Sequence, residues 1–306
     1  MENDKINLAS NGIFPIIFDK EGNKLADLPD TGYDVAGTVQ GEGKLLGMPC
    51  LFIRTSSCNL RCAWIGADGK GSLCDTPYTS HKPQKNHMLI DDVVKTIFVN
   101  AKTSNISHVI ISGGEPTMQT EELGILLEKL CAFNFHTTIE TNGTIYDPKI
   151  SKWTNLVSIS PKLSSSTPWE ANLKDTDVKF NQKWAERHER DRKNIQAIQS
   201  YIDDCYEKPF PMSSDIELDW RCSRKPHKDF QLKFVISSLE DIIEIEEDFL
   251  AHLKGVEPTD VCLMPEGVTV EDLMAKSAWV VSEALARGWR FTPRLHALLW
   301  GVNVGV

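Results

Sequence analysis

His108-Val109-Ile110-Ile111-Ser112-Gly113-Gly114-Glu115-Pro116 is an apolar run of strand length that ends in two glycines, an acid and a proline. A short run rich in β-branched residues and bounded by Gly and Pro reads as a buried strand opening into a turn. Paired glycines at that point let backbone approach a neighbour or a ligand closely. A helical pattern follows: Thr120-Glu121-Glu122 puts acids in a first turn, and Leu123, Leu126, Leu127 and Leu130 share one face.

Outward from this unit the pattern repeats. Short apolar runs lie at 50–54, 136–140, 156–160, 231–237, 261–264 and 290–299, each with turn residues nearby. A helix is predicted over 270–287, with Leu273, Trp279, Val280 and Leu285 on its buried face and a stop at Gly288; another, over 242–249, groups Ile242, Ile245 and Phe249. Strands alternating with helices imply βαβ units, an α/β class and a mainly parallel sheet. In such sheets the carboxyl ends of the strands form the ligand face. Here those ends carry Ser112-Gly113-Gly114, Glu140-Thr141-Asn142-Gly143 and Ser160-Pro161-Lys162.

Composition bounds the function. With 306 residues, 41% hydrophobic and 25% charged, the chain has material for a packed core and does not read as disordered. Thirty-three Lys and Arg against 43 Asp and Glu give a net charge of −10, which argues against a broad phosphate-tracking surface and so against nucleic acid as a direct partner. No apolar run approaches the roughly 20 residues that span a bilayer, and the opening residues lack a signal-peptide core. The expectation is a cytoplasmic protein without membrane contact.

Two stretches depart from the strand–helix rhythm. Residues 1–32 read as a polar N-terminal extension with one apolar patch at 13–18, leaving 33–306 as the main domain. Within it, 165–229 reads as a charged, largely helical insertion whose run 183–193 predicts an exposed helix with i,i+4 pairs.

Eight cysteines in a cytoplasmic chain would not persist as a disulfide framework. Cys50, Cys131 and Cys262 sit in apolar runs as small hydrophobes, and Cys205 and Cys222 lack a metal-type pairing. Cys58, Cys62 and Cys74 instead fall within seventeen residues. A structural zinc site normally closes four ligands, whereas a [4Fe–4S] cluster held by three cysteines leaves one iron open. On the cysteines alone, both readings stand.

Together with the polar strand ends, this cysteine loop makes the sequence resemble the radical S-adenosylmethionine (SAM) superfamily and, within it, the 7-carboxy-7-deazaguanine synthase family. The resemblance runs from about residue 37 to 306, and its most telling pieces are Thr38-Val39-Gln40-Gly41-Glu42-Gly43, Cys74-Asp75-Thr76, Ser158-Ile159-Ser160-Pro161-Lys162 and Arg294-Leu295-His296. It implies a partial, incomplete β/α barrel. It also implies a lyase that cleaves SAM reductively to a 5′-deoxyadenosyl radical and contracts 6-carboxy-5,6,7,8-tetrahydropterin to 7-carboxy-7-deazaguanine with loss of ammonia, in queuosine and deazaguanine biosynthesis.

Carried over residue by residue, the resemblance assigns Cys58, Cys62 and Cys74 to the [4Fe–4S] cluster and Thr76 to Mg²⁺. SAM would meet Asp75, Gly114, Ser160, Pro161, Lys162, Met264, Pro265, Glu266 and Gly267. The pterin would meet Val39, Gln40, Gly41, Arg54, Ser112 and Val306, the planar fork of Arg54 suiting a carboxylate. An electron donor such as flavodoxin and a homodimer are implied partners. Read without the resemblance, Arg54 is a strand-end charge, Ser112 a turn cap, His296 a satisfied semi-buried histidine and Trp64 a packing residue over the cysteines.

The superfamily's usual spacing places two residues between the second and third cysteines, and here eleven separate Cys62 from Cys74. The inserted stretch is glycine-rich, so it is expected to loop out and return the third thiolate. Two other functions fit parts of the pattern: a radical SAM activase acting on a protein through the 165–229 stretch, and a non-catalytic zinc-binding interaction protein.

Overall fold

The structure is a computed structural model and describes residues 4–27, 29, 31–66, 68–207 and 224–301. The chain opens with β1 (Lys5–Phe14), β2 (Thr38–Val39) and β3 (Pro49–Thr55), and the cysteine stretch then folds as a hairpin of β4 (Ala63–Ile65) and β5 (Gly71–Leu73). After β6 (Asn86–Leu89) and α1 (Ile90–Ser104), strand and helix alternate through β7 (His108–Gly113), α2 (Thr120–Ala132), β8 (His136–Thr141), α3 (Pro148–Trp153) and β9 (Leu156–Ile159). The rest comprises α4 (Gln182–Asp191), α5 (Ile195–Asp203), β10 (Asp229–Ile236), α6 (Leu239–Glu244), β11 (Val261–Pro265), α7 (Val270–Arg287), β12 (Arg290–Phe291) and α8 (Leu295–Trp300).

The sheet runs β6-β1-β3-β7-β8-β9-β10-β11-β12, with β2 on β3. From β3 to β12 every neighbouring pair is parallel and the strands are added in chain order. All seven carboxyl ends therefore face one way, and because β3 and β12 do not pair, the barrel stays open. β1 lies antiparallel between β3 and β6, so the residues read as an N-terminal extension contribute a strand to the central sheet.

Apolar periodicity explains the layers. Leu123, Leu126, Leu127 and Leu130 are fully buried along one face of α2, each side chain contributing roughly 1.5–3 kcal/mol relative to exposure. β9 and β11 are buried at every residue, as parallel strands covered on both faces must be. Ile242, Ile245 and Phe249 are buried together as expected, on α6 and the wide helical turn that continues it. α7 stops at Gly288, which takes the left-handed conformation at φ 69°.

Four sequence expectations are corrected. On α7 the buried face is Leu273, Val280 and Ala284, while Leu285 is 76% exposed, because it lies about 100° round the helix from Ala284. The run 290–299 is a strand only over its first two residues, since Thr292-Pro293 breaks it and Leu295–Trp300 turns helical. The charged run is exposed on one side only: Ala185, His188 and Arg192 are buried, Arg192 pairing with Glu189 at 2.6 Å and Glu244 at 2.5 Å. Finally, α5 from the same stretch buries Ile198, Tyr201 and Ile202 in the main core, so it does the work of the crossover helix between β9 and β10. Among the described residues no helix is long and apolar enough to cross a membrane.

Candidate active site

At the carboxyl end of the parallel strands a cavity opens, and it gathers nearly every residue singled out from the sequence. Val39, Gln40, Gly41, Arg54, Cys58, Cys62, Cys74, Asp75, Thr76, Ser112, Gly114, Ser160, Lys162, Met264, Pro265, Glu266 and Gly267 all line it. Pro161 is buried between two lining residues without lining the cavity itself. Val306 and Cys222 lie outside the described residues.

The cysteines reach the cavity by two devices. Ala63 pairs with Leu73, Trp64 with Ser72 and Ile65 with Gly71, so Cys62 and Cys74 occupy the next rung, where the Cys74 amide donates to the Cys62 carbonyl at 3.1 Å. Cys58 is held by a turn in which the Leu60 amide points at its Sγ, 3.4 Å away. Leu60, Trp64 and Val235 pack round the three thiols. Burial pushes the Cys58 thiol up to about 12 and raises Cys62 and Cys74, so a metal must displace protons to bind there.

The group these thiols fit can be tested on their arrangement. Among the described residues no three His, Cys, Asp or Glu side chains converge on a point where one ion would sit, as a closed zinc site requires. Three thiols grouped on the wall of one cavity are the donor set that an iron–sulfur cluster takes from cysteines at separate irons. The indole Nε1 of Trp64, beside them, is buried without a hydrogen-bond partner.

Glycines and one acid bind the loop to the strands. A Cβ on Gly113, whose φ is 148°, would overlap Thr55, and one on Gly114 would overlap the Ser57 carbonyl. Gly113 is thus required where β7 lies against the end of β3, and Gly114 where the segment leading into the cysteines packs on it. Glu115 is fully buried and accepts from Thr117 N at 3.1 Å, Thr117 Oγ1 at 2.6 Å, Thr141 Oγ1 at 2.8 Å and Asn142 N at 2.6 Å, joining the ends of β7 and β8. Burial raises its pKa.

The charges in the cavity divide into two kinds. Lys233 contacts Glu42 and lies 3.6 Å from Glu140; Arg294 pairs with Asp75, with Glu42 at 3.3 Å and with the Gly267 carbonyl at 2.9 Å. Burial disfavours the charge of Lys233, but Glu140 and Glu42 outweigh it and raise its pKa; burial likewise opposes ionisation of Glu42, which Lys233 and Arg294 nevertheless hold well below the usual carboxylate range. Arg54 is different. It has no carboxylate partner among the described residues, its Nε is buried without a hydrogen bond, and its guanidinium rests on the Phe14 ring at 5.0 Å. Lys162 hydrogen-bonds Ser160 Oγ at 2.9 Å and is likewise without an acidic partner among them. Among the described residues that line the cavity, these two cations are the ones available to an anionic ligand.

Other side chains are already engaged. Glu266 accepts from Ser72 Oγ at 3.0 Å and pairs with Lys276 at 2.5 Å, so its carboxylate is committed to protein. Gln40 donates to Glu140 at 3.2 Å. His296 lines the cavity with its ring against Gly41, where a Cβ would overlap Nδ1. Thr76 is buried with its hydroxyl 3.5 Å from Cys74 Sγ, an oxygen suited to a hard cation next to the cysteine site.

Glu42, Glu140 and Arg294 stand in motifs quoted above without a site role of their own, and Lys233 lies in none of them. A signal existed for Lys233: it shares a strand face with Gln231 and Val235 in an apolar run, and a lysine inside a covered parallel strand needs a partner.

Known proteins share this sequence and fold. The Radical SAM superfamily model matches residues 52–161. The 7-carboxy-7-deazaguanine synthase of Halobacterium salinarum is 38% identical over 269 residues, 86% of this chain and 87% of that protein. The enzyme of the same name from Rhodopirellula baltica is 33% identical over 266 residues, 87% of this chain and 84% of that protein. Among solved structures, QueE from Escherichia coli superposes with a TM-score of 0.51 at 21% identity, covering 85% of this chain and 91% of that one, a likeness of fold.

Proposed function

Because the chain belongs to the 7-carboxy-7-deazaguanine synthase family of radical SAM enzymes, we propose that its substrate is 6-carboxy-5,6,7,8-tetrahydropterin and its product 7-carboxy-7-deazaguanine, formed by ring contraction with loss of ammonia. The observation that carries this reading is Arg54, a cation facing the cavity with an unpartnered buried Nε, where a substrate carboxylate would complete it. Two charge-assisted bonds from its planar fork would fix the pterin in one orientation.

Each wall of the cavity has a part. Cys58, Cys62 and Cys74 would hold the [4Fe–4S] cluster, which when bound supplies the electron that cleaves SAM to a 5′-deoxyadenosyl radical. Gly114, Ser160, Lys162 and the Met264–Gly267 turn would receive SAM, with Pro161 shaping the turn behind them and Asp75, held in place by Arg294, at the edge of the site. Lys162, without an acidic partner among the described residues, would meet the SAM carboxylate. Because Glu266 is tied to Ser72 and Lys276, that turn would offer backbone to SAM. Gln40, Gly41 and Ser112 would take the pterin edge and Val39 its ring, and the family resemblance assigns Val306, outside the described residues, to the same ligand. Thr76 would give one oxygen to Mg²⁺, the remaining ligands coming from substrate and SAM oxygens.

In this reading the enzyme works in the cytoplasm as a homodimer and takes its electrons from a donor such as flavodoxin. The test is anaerobic reconstitution with iron and sulfide, then incubation with SAM, reductant, Mg²⁺ and 6-carboxytetrahydropterin. Formation of 7-carboxy-7-deazaguanine is the expected result; SAM cleavage without that product would reject the substrate and favour a protein substrate instead.

A further inference from the structure

The charged stretch has a second face that the reaction does not call on. α4 is polar and exposed on one side, yet it carries His188, which is 1% exposed. That ring lies against the cysteine loop: Nδ1 accepts from the Arg61 amide at 3.1 Å, and Nε2 faces Ser166 Oγ at 3.4 Å. An amide can only donate, so Nδ1 is unprotonated and the ring hydrogen sits on Nε2, toward Ser166.

Arg61, between Cys58 and Cys62, is gripped twice. Its Nη1 donates to the Cys58 carbonyl at 2.6 Å and the Leu60 carbonyl at 2.9 Å, and its guanidinium lies over the Trp184 ring of α4 at 4.5 Å. The same charged stretch holds the loop at two more points. Asn172 Nδ2 donates to the Ala63 carbonyl at 2.9 Å, and the Gly71 amide donates to the Lys174 carbonyl at 2.7 Å. The anchors therefore fall just before Cys62, just after it, and on the strand that returns to Cys74.

We propose that α4 and the turn before it form a clamp that sets the geometry of the iron–sulfur loop, with His188 as its positioning residue. This rests on the assignment of Cys58, Cys62 and Cys74 as cluster ligands. The bond to His188 fixes the peptide that follows Leu60, and the Leu60 amide is the one aimed at Cys58 Sγ. Releasing that peptide lets the N–H···S bond weaken. Hydrogen bonds to ligand sulfur and the orientation of ligands by their outer partners govern cluster retention and potential.

The experiment compares the full-length wild type, His188→Ala, His188→Asn and Trp184→Ala, each reconstituted anaerobically. The readouts are the rate of iron loss to a chelator and, with SAM bound, the midpoint potential and electron paramagnetic resonance spectrum of the reduced cluster. His188→Ala is expected to lose iron about 10-fold faster, with a more negative potential and an altered spectrum. His188→Asn, whose side-chain oxygen stands where Nδ1 was, restores most of both. Trp184 is only half-buried, so its removal leaves the fold intact and gives an intermediate effect. Unchanged potential and iron release in His188→Ala, or failure of Asn to rescue, overturns the clamp. A wild type that takes up no cluster overturns the ligand assignment and the clamp together, whereas a loaded wild type matched by His188→Ala overturns the clamp alone.

Discussion

The backbone amide of Cys74 donates to the carbonyl of Cys62 at 3.1 Å, making neighbours of two cysteines with eleven residues between them. The interval that departs from the superfamily spacing is a β-hairpin, and its register delivers the third thiol to the wall that holds the other two. Cys74→Ala is therefore expected to abolish the brown colour of the reconstituted protein and SAM cleavage together. Retention of a normal [4Fe–4S] spectrum would show that another residue is the third ligand.

Arg54 makes a second prediction. Lysine keeps the charge but loses the fork, so Arg54→Lys should raise KM for the pterin by about 10- to 100-fold, the equivalent of one or two charge-assisted bonds. SAM cleavage in the absence of pterin should persist. Unaltered KM would place the substrate carboxylate elsewhere.

Thr76→Ala removes a hydroxyl and leaves Cys74 in place. Turnover should need more Mg²⁺ to reach half its maximum, while iron content stays at the wild-type level. An identical Mg²⁺ titration would exclude Thr76 from the metal site.

Two glycines give opposite expectations. A Cβ on Gly114 would overlap the Ser57 carbonyl and come within 2.7 Å of the Thr79 carbonyl, and backbone cannot step aside as a side chain does. Gly114→Ala should cost about 1–3 kcal/mol. Gly124 in α2 would meet only Lys149 Cβ at 3.5 Å, so Gly124→Ala should stabilise by about 0.5–1 kcal/mol through helix propensity. Thermal melts of the two variants, read side by side, check both signs.

At the opposite end of the sheet, the His108 and His136 rings lie 4.5 Å apart. Burial, aided by His108 and His227, pushes His136 down to about 4. The unfolded chain, with histidine near 6.5, then binds the proton first, so this contribution to stability is complete above about 6.5 and is lost as pH falls toward 4. His136→Phe should lose less Tm than wild type between pH 7 and 5. Equal losses would remove His136 as a source of acid sensitivity.

Much of this was legible in the chain because it is local. The leucine face of α2, the stop at Gly288 and the apolar runs that became β7 to β11 follow from periodicity and turn residues within a dozen positions. The cysteines and the polar strand ends likewise pointed to the cavity, since in a parallel sheet the end of each strand fixes where the next few residues go. The run over 290–299 misread for the same kind of reason: its apolar content suggested a strand, and only the Thr292-Pro293 break divides it.

Pairings between distant segments were not legible. Nothing near Lys233 announces Glu42, nothing near Arg294 announces Asp75, and a helix as charged as α4 does not announce that His188 will be buried against Arg61. The class of fold, the grouping of Cys58, Cys62 and Cys74 and the ligand face are legible in the chain, since each depends on propensity and spacing along one stretch. Which cations are neutralised and which, like Arg54, stay open to a ligand emerges on folding, because ion pairing and burial depend on distances between segments far apart in the chain.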